Sequence, residues 1–341
     1  MLKVGITGIG FMGMMHYLAY QKLEGVQVAA ICEKIPERLK GDWTKIKGNF
    51  GPQGTMMDLS GIATYSELDD MLKNPELDFI DVCLPPFAHA EATIKALEAG
   101  KNAICEKPIT LKTAEADAMV AAAQKSGKLM MIGHVLPFFT SHAYVYEAVV
   151  SGRYGKLLGG NFNRVISDPT WLANFYDMDV CGGPMLDLHI HDAHFIRLLF
   201  GMPKAVQSIG RTRGGVPEYF NTQFLYDDPT LVVTATSGVI MQQGRPFTHG
   251  YEVHFEKATI LCESFMQMPV TVLTEDGKVE KPELPNYDEI QVFANELKEA
   301  TDAVRAGKPS KMLDGQLARD ALALCHTQIE SINTRKRVVL A

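Results

Sequence analysis

Basic clusters are scarce in this chain. Its 341 residues hold 33 Lys and Arg against 40 Asp and Glu, a formal net charge of −7, and the one basic run is Arg335-Lys336-Arg337. A nucleic-acid binder carries a basic face to meet phosphates, so no nucleic-acid partner is expected, and the triplet reads as a solvated helix end. Long apolar runs are also missing. No uninterrupted stretch approaches the ~20 residues that span a bilayer. The start, Met-Leu-Lys-Val-Gly-Ile-Thr, enters a strand pattern directly, without the charged and apolar regions of a secretory signal. No membrane partner is expected, and a cytoplasmic location is. The six cysteines (Cys32, Cys83, Cys105, Cys181, Cys262, Cys325) form no C-x-x-C pair. Their scatter argues for a reducing compartment and against a disulfide framework or zinc ribbon. Repeats and low-complexity tracts are absent.

What is present is an ordinary globular composition, 46% hydrophobic and 21% charged. The length exceeds what one core usually holds, so two domains are expected, 1–133 and 134–341. The first 133 residues alternate short apolar runs with helical periods, the pattern of βαβ units on a parallel sheet. Strands are expected at Lys3–Thr7, Val26–Cys32, Asp78–Leu84, Asn102–Cys105 and Leu129–Ile132. Ser66 and Thr113 are expected to cap the helices that follow them, and Gly100 and Gly127 to close helices. The Gly/Pro-rich stretch from Gly48 to Gly61 reads as an extended loop. After His134 a helix over about Ser141–Val150 leads to a strand at Leu157–Ile166, and a second helix covers about Met185–Phe200. From Ala205 to Leu273 the pattern is β-rich, and two helices, about Asp288–Ala306 and Gly315–Thr334, close the chain. The fold class is therefore α/β: an N-terminal Rossmann parallel sheet plus a C-terminal α/β domain with a largely antiparallel, open-faced sheet. An apolar open face is normally buried by self-association, so a homodimer or homotetramer is expected.

The first strand ends in Gly8-Ile9-Gly10-Phe11-Met12-Gly13, a G-x-G-x-x-G opening a helix. Gly8 suits the tight turn, Gly10 lets backbone approach a pyrophosphate, and Gly13 lets helix and strand pack closely. The pyrophosphate would rest on the unpaired N–H groups at the helix start. Glu33, twenty residues beyond Gly13, ends the second strand where an acidic side chain would accept the ribose hydroxyls. Its charge would repel a 2′-phosphate and favours NAD, although Lys34 and Arg38 nearby could offset it and admit NADP.

Further elements complete a pattern. The Gly8–Gly13 loop, Leu84-Pro85-Pro86 followed by His89, the run from Ala96 through Gly100-Lys101 to Glu106-Lys107-Pro108, and Gly182-Gly183 with Asp187 and His191 together resemble the glucose–fructose oxidoreductase/inositol dehydrogenase (Gfo/Idh/MocA) family. The likeness is close over the first domain and looser over the second. It implies that Lys107 touches both nicotinamide ribose and substrate, that Glu106, Pro85 and His89 line the cofactor site, that Asp187 orients a substrate hydroxyl, and that His191 exchanges its proton. The implied reaction is hydride transfer between NAD(P) and a hydroxyl or keto carbon of a sugar, polyol or sugar derivative.

The residues support that chemistry independently. Lys107 follows a strand's carboxyl end, where ligands of open α/β sheets bind. Asp187 and His191, four apart on a helix, share a face. Removing hydride from a carbinol needs a base near neutral pH, which histidine suits. His89 has a rival role in packing at a helix start. Arg164, Asp168 and Trp171 are candidate substrate contacts, with packing or a salt bridge the alternative for each. His189, His191, Asp192 and His194 are dense in ligand atoms, but His189 and His191 point apart on a helix and no metal is expected. Many family members carry an arginine shortly after the last Rossmann strand, where this chain has Leu136-Pro137-Phe138. A redox-neutral, NAD-dependent glycoside-cleaving enzyme and a non-catalytic dinucleotide sensor are the alternative functions; the presence of Lys107, Asp187 and His191 counts against the sensor.

Overall fold

A computed structural model describes residues 1–264 and 268–340. The chain divides into two compact units, residues 1–138 with 287–319, and residues 139–286 with 320–341.

The first unit is a six-stranded, wholly parallel sheet. Its elements run β1 (Leu2–Thr7), α1 (Phe11–Tyr20), β2 (Val26–Cys32), α2 (Pro36–Leu39), β3 (Ala63–Tyr65), α3 (Leu68–Leu72), β4 (Phe79–Val82), α4 (Pro86–Glu98), β5 (Asn102–Glu106), α5 (Thr113–Ser126) and β6 (Met130–Gly133). The strand order is β3-β2-β1-β4-β5-β6, the doubly wound order whose direction reverses beside β1. Val4, Ile6, Ile80, Ile104 and Ile132 are fully buried, as the near-continuous apolar strands require. The expected strands are all present, and β3 is an addition. The caps assigned to Ser66 and Thr113 are not formed. The N-cap positions fall on Glu67 and Lys112, and neither makes a side-chain cap bond. Gly127 does close α5 in the left-handed conformation, φ 66°.

In the second unit, α6 (Thr140–Ser151) precedes β7 (Leu157–Ser167). A π-helical turn, Pro184–His189, then runs into α7 (Ile190–Phe200). The sheet continues with β8 (Ala205–Arg213), β9 (Val216–Leu225), β10 (Val232–Ile240), β11 (Thr248–Phe255), β12 (Ala258–Glu263), β13 (Met268–Thr274) and β14 (Val279–Glu280). A last strand, β15 (Val338–Val339), makes nine in the order β14-β13-β12-β11-β7-β10-β9-β8-β15. Only β7 and β10 pair in parallel. The sheet is thus mixed but mostly antiparallel, as the alternating pattern indicates.

Helix α8 (Glu289–Ala306) and the start of α9 (Gly315–Thr334) belong to the first unit, although the linear reading assigned everything after 133 to the second. Asp288 caps α8, accepting the Gln291 amide at 2.6 Å. Among the described residues no helix is long and apolar enough to cross a membrane.

Candidate active site

The carboxyl ends of β1, β4 and β5 carry three sequence features, and all three belong to the first unit. After β1, Gly8 takes φ +87°, a conformation that a side chain would strain, and a Cβ on Gly13 would lie 2.0 Å from the Gly8 carbonyl oxygen. Those two glycines let α1 begin directly against the strand end. Gly10, at the N-cap, makes no side-chain cap bond, and a Cβ there would meet nothing within 4 Å. Phe11, Met12 and Gly13 form the first turn of α1, whose N–H groups have no partner within a helix. The open space beside Gly10 lets a pyrophosphate approach the helix start, so the loop fits a dinucleotide.

Glu33 lies just past β2 and is buried. Its carboxylate accepts four contacts: Lys34 N at 2.7 Å and Ile35 N at 3.0 Å on Oε1, Ile9 N at 2.8 Å and Arg38 Nη1 at 3.3 Å on Oε2. Those four fill the acceptor capacity of a carboxylate. Glu33 therefore ties the glycine loop to the end of β2, and the long Arg38 contact is the one a ribose hydroxyl would replace most cheaply.

After β4, Pro85 is the N-cap of α4 and Pro86 its first residue. His89, one turn on, is fully buried, with Nδ1 2.8 Å from the Pro108 carbonyl oxygen and Nε2 2.7 Å from that of Leu84. Both His89 nitrogens face backbone carbonyls, so the ring clamps the β4–α4 loop to the Lys107-Pro108 segment, a packing role at the helix start that stands beside its expected place at the cofactor site. Burial lowers its pKa, against the opposing pull of the two carbonyls. The Lys107–Pro108 peptide is cis, and Lys107 N donates to Glu106 Oε2 at 3.0 Å. Lys107 thus starts a loop held at both ends, by Glu106 and by His89.

In the second unit Gly183 (φ 66°) leads into the π-helical turn, with Pro184 first. Such turns recur at functional sites because they re-aim side chains. Residues 184–196 are buried except Asp187 and His191, which are half-buried. The wider turn still returns residues four apart to one side, so the two polar groups share the accessible face. Their neighbours are engaged elsewhere. His189 Nδ1 lies 2.8 Å from Ser237 Oγ and its Nε2 3.0 Å from Gln328 Oε1. Asp192 receives Arg164 Nε at 2.6 Å and Nη2 at 3.1 Å, both side chains being buried.

The sequence also matches known families. Residues 2–134 fit the oxidoreductase family, NAD-binding Rossmann fold, and residues 142–261 fit the GFO/IDH/MocA C-terminal domain. The chain belongs to the Gfo/Idh/MocA oxidoreductase family. It is therefore an NAD-binding oxidoreductase. Myo-inositol 2-dehydrogenase of Thermotoga maritima is 24% identical over 349 residues, covering 99% of this chain and 98% of that protein. The 2,7-anhydro-N-acetylneuraminate hydratase of Mediterraneibacter gnavus is 25% identical, covering 90% of this chain and 79% of its own. Levoglucosan dehydrogenase, solved with NADH and levoglucosan, superposes with a TM-score of 0.84 at 20% identity, covering 99% of both chains.

Within this Gfo/Idh/MocA chain the three candidate substrate contacts part company. Arg164 is a buried ion-pair partner of Asp192, which takes its Nε and Nη2 donors, and its guanidinium lies 5.8 Å from the Phe247 ring. Asp168 accepts Tyr176 Oη at 3.0 Å and Arg213 Nη1 at 2.6 Å. Trp171 is 63% exposed and remains available.

The sequence reading missed one group altogether. His16 of α1, fully buried, places Nδ1 2.9 Å from Asp81 Oδ2 and Nε2 3.0 Å from Glu106 Oε1. Tyr20 also donates to Asp81 Oδ2 at 2.9 Å, and Cys83 Sγ lies 3.4 Å from both His16 Nδ1 and Asp81 Oδ1. The signal was an aspartate inside the apolar strand Phe79–Val82, which burial forces to find partners.

Proposed function

We propose that this enzyme transfers hydride between NAD and a hydroxyl or keto carbon of a cyclic polyol, sugar or sugar derivative. Lys107, Asp187 and His191 are its catalytic side chains. The observation that carries the reading is the alignment of the glycine loop, the Leu84-Pro85-Pro86 turn and the Glu106-Lys107-Pro108 turn at the carboxyl ends of β1, β4 and β5 of one sheet. In open α/β sheets ligands bind at that edge, beside the reversal of strand order. The relatives named for inositol and levoglucosan dehydrogenation support the substrate class.

Gly8, Gly10, Phe11, Met12 and Gly13 would hold the pyrophosphate, Glu33 the adenosine ribose, and Pro85, His89, Glu106 and Lys107 the nicotinamide end. The bound dinucleotide supplies the hydride acceptor or donor. His191 takes the hydroxyl proton as the carbinol is oxidised, Asp187 fixes the hydroxyl's orientation, and the Lys107 ammonium stabilises the developing alkoxide. In the reverse direction Lys107 polarises the carbonyl and His191 returns the proton. Arg164, Asp168 and Trp171 are the substrate-side candidates, the first two through groups that also serve ion pairs within the fold.

The second unit supports a homodimer or homotetramer. On β8 the Ser208 amide donates to Ser331 Oγ of α9 and a Cβ on Gly210 would lie 3.4 Å from Ile332 of α9, so Ile209 between them points to the face away from α9. There Ile209 is 70% exposed and Val232 60% exposed. Six free thiols, four of them buried, support a cytoplasmic location.

The test is a screen of inositols, aldoses, lactones and glycosides, followed at the nicotinamide absorbance with NAD and with NADP. Turnover of a polyol with NADH release, lost in Lys107→Ala while the dinucleotide still binds, supports the proposal. Turnover persisting in Lys107→Ala refutes the assigned role. Glycoside cleavage without net NADH would instead indicate the redox-neutral chemistry.

A further inference from the structure

Beneath the glycine loop lies a buried cluster with more acids than bases. His16 on α1 meets Asp81 on β4 and Glu106 at the end of β5. Tyr20 on α1 and Cys83 after β4 complete the ring around Asp81. From α8, Phe293 sets its ring 5.9 Å from the His16 ring, and Glu296, fully buried, faces the same cluster. Neither carboxyl oxygen of Glu296 has a hydrogen-bond partner among the described residues. Among the described contacts, the His16 ring is the base that meets these buried carboxyl groups.

Both ring nitrogens of His16 face a carboxylate. The Asp81 contact is a hydrogen bond; the Glu106 contact, at 3.0 Å, is off the hydrogen-bonding line and is electrostatic. A neutral imidazole carries one N–H and would turn a lone pair toward one of the two acids. Only the cation satisfies both. The other oxygen of Glu106 accepts the Lys107 amide at 3.0 Å. The chain of contacts therefore runs from the helix that begins at the glycine loop to the first backbone atom of Lys107.

We propose that His16 is a positioning residue for Lys107: its imidazolium, anchored by Asp81, fixes the Glu106 carboxylate that holds the Lys107 amide. This rests on the role given to Lys107 above. The cluster's electrostatics agree. Burial pulls the His16 pKa down, but the Asp81 carboxylate overrides it and holds the ring protonated. Burial, then the nearby Glu106, keeps Glu296 protonated. His16, Asp81 and Cys83 would also suit a soft metal ion by proximity. However, burial holds Cys83 as a thiol, whereas a metal binds the thiolate.

The experiment has two arms. In ¹⁵N-labelled wild-type enzyme, with His16 assigned by comparison with His16→Gln, both ring nitrogens should be protonated at pH 7.5, and the Lys107 amide resonance should move in His16→Gln. In kinetics, His16→Gln and Glu106→Gln should each lower kcat at least tenfold. In His16→Gln, KM and the NADH dissociation constant should stay within threefold, and the double variant should fall in kcat no more than threefold below the worse single one. A neutral His16 ring, an unmoved Lys107 amide, independent multiplying losses, or one equivalent of transition metal lost with His16→Gln would each overturn the proposal. Should the wild-type enzyme oxidise no polyol, the functional reading fails, while the labelled-enzyme arm still decides whether His16 orders Lys107.

Discussion

The Glu33 carboxylate lies 2.8 Å from the Ile9 amide, inside the turn that carries the dinucleotide motif. An acid expected to meet only the ribose is thus also part of the loop's own scaffold. Glu33→Gln replaces one acceptor oxygen with a donor and leaves at least one backbone N–H facing it, a cost of about 1–3 kcal/mol per orphaned group. The ligand-free variant should therefore melt several degrees below wild type, and its NAD affinity should also fall. Thermal denaturation without dinucleotide decides the matter. An unchanged melting temperature alongside weakened NAD binding would restrict Glu33 to the ribose.

The acid side of the stability profile should be set by buried neutral histidines. Burial lowers the pKa of His189 to about 4, in spite of the opposing Asp192, and that of His249 to about 4, helped by Arg164. Below the unfolded value near 6.5 the unfolded chain binds a proton that the folded protein refuses. Stability from each group is therefore complete above about pH 6.5 and is lost as pH falls toward 4, at roughly 1.4 kcal/mol per pH unit. Protonated Glu296 works in the opposite direction over part of this range, so the informative quantity is a difference. His189→Asn, which can still reach Ser237 and Gln328, should give a shallower slope between pH 6.5 and 4, worth about 3 kcal/mol over the window. Urea titrations at half-unit pH steps would show it, and parallel wild-type and variant curves would contradict it.

Much of this architecture can be read in the sequence wherever one residue's neighbours along the chain determine its state. The first-unit strands follow from unbroken apolar runs, and Gly8 and Gly13 from the turn they must make. Partners chosen across the fold are a different matter. Nothing adjacent to Arg164 announces Asp192 on a following helix. Nothing beside Glu33 tells that four donors converge on it. The caps assigned to Ser66 and Thr113 failed because local propensity is a weak prior against where packing starts a helix. The π-helical turn around Asp187 is likewise invisible to a count of residues. Helix α8 joins the first unit through contacts that linear order cannot convey. His16 and Asp81 are an intermediate case, since a charge in a buried strand demands a partner without naming it.

Arg164 gives the sharpest separation between a binding and a structural role. Its bidentate bond to Asp192 is buried on both sides. Removing one member of such a pair strands a charge and typically costs 3–5 kcal/mol, whereas replacing both with apolar groups of similar size is often nearly neutral. Asp192→Asn and Arg164→Met should each destabilise the enzyme by about 3–5 kcal/mol, and the double variant Arg164→Met/Asp192→Leu by clearly less than the sum. Denaturant unfolding of the three variants, with KM measured on whatever protein remains folded, separates the roles. A raised KM at unchanged stability in Arg164→Met would return Arg164 to the substrate. Full additivity would mean that the two side chains contribute independently, despite bonds of 2.6 and 3.1 Å between them.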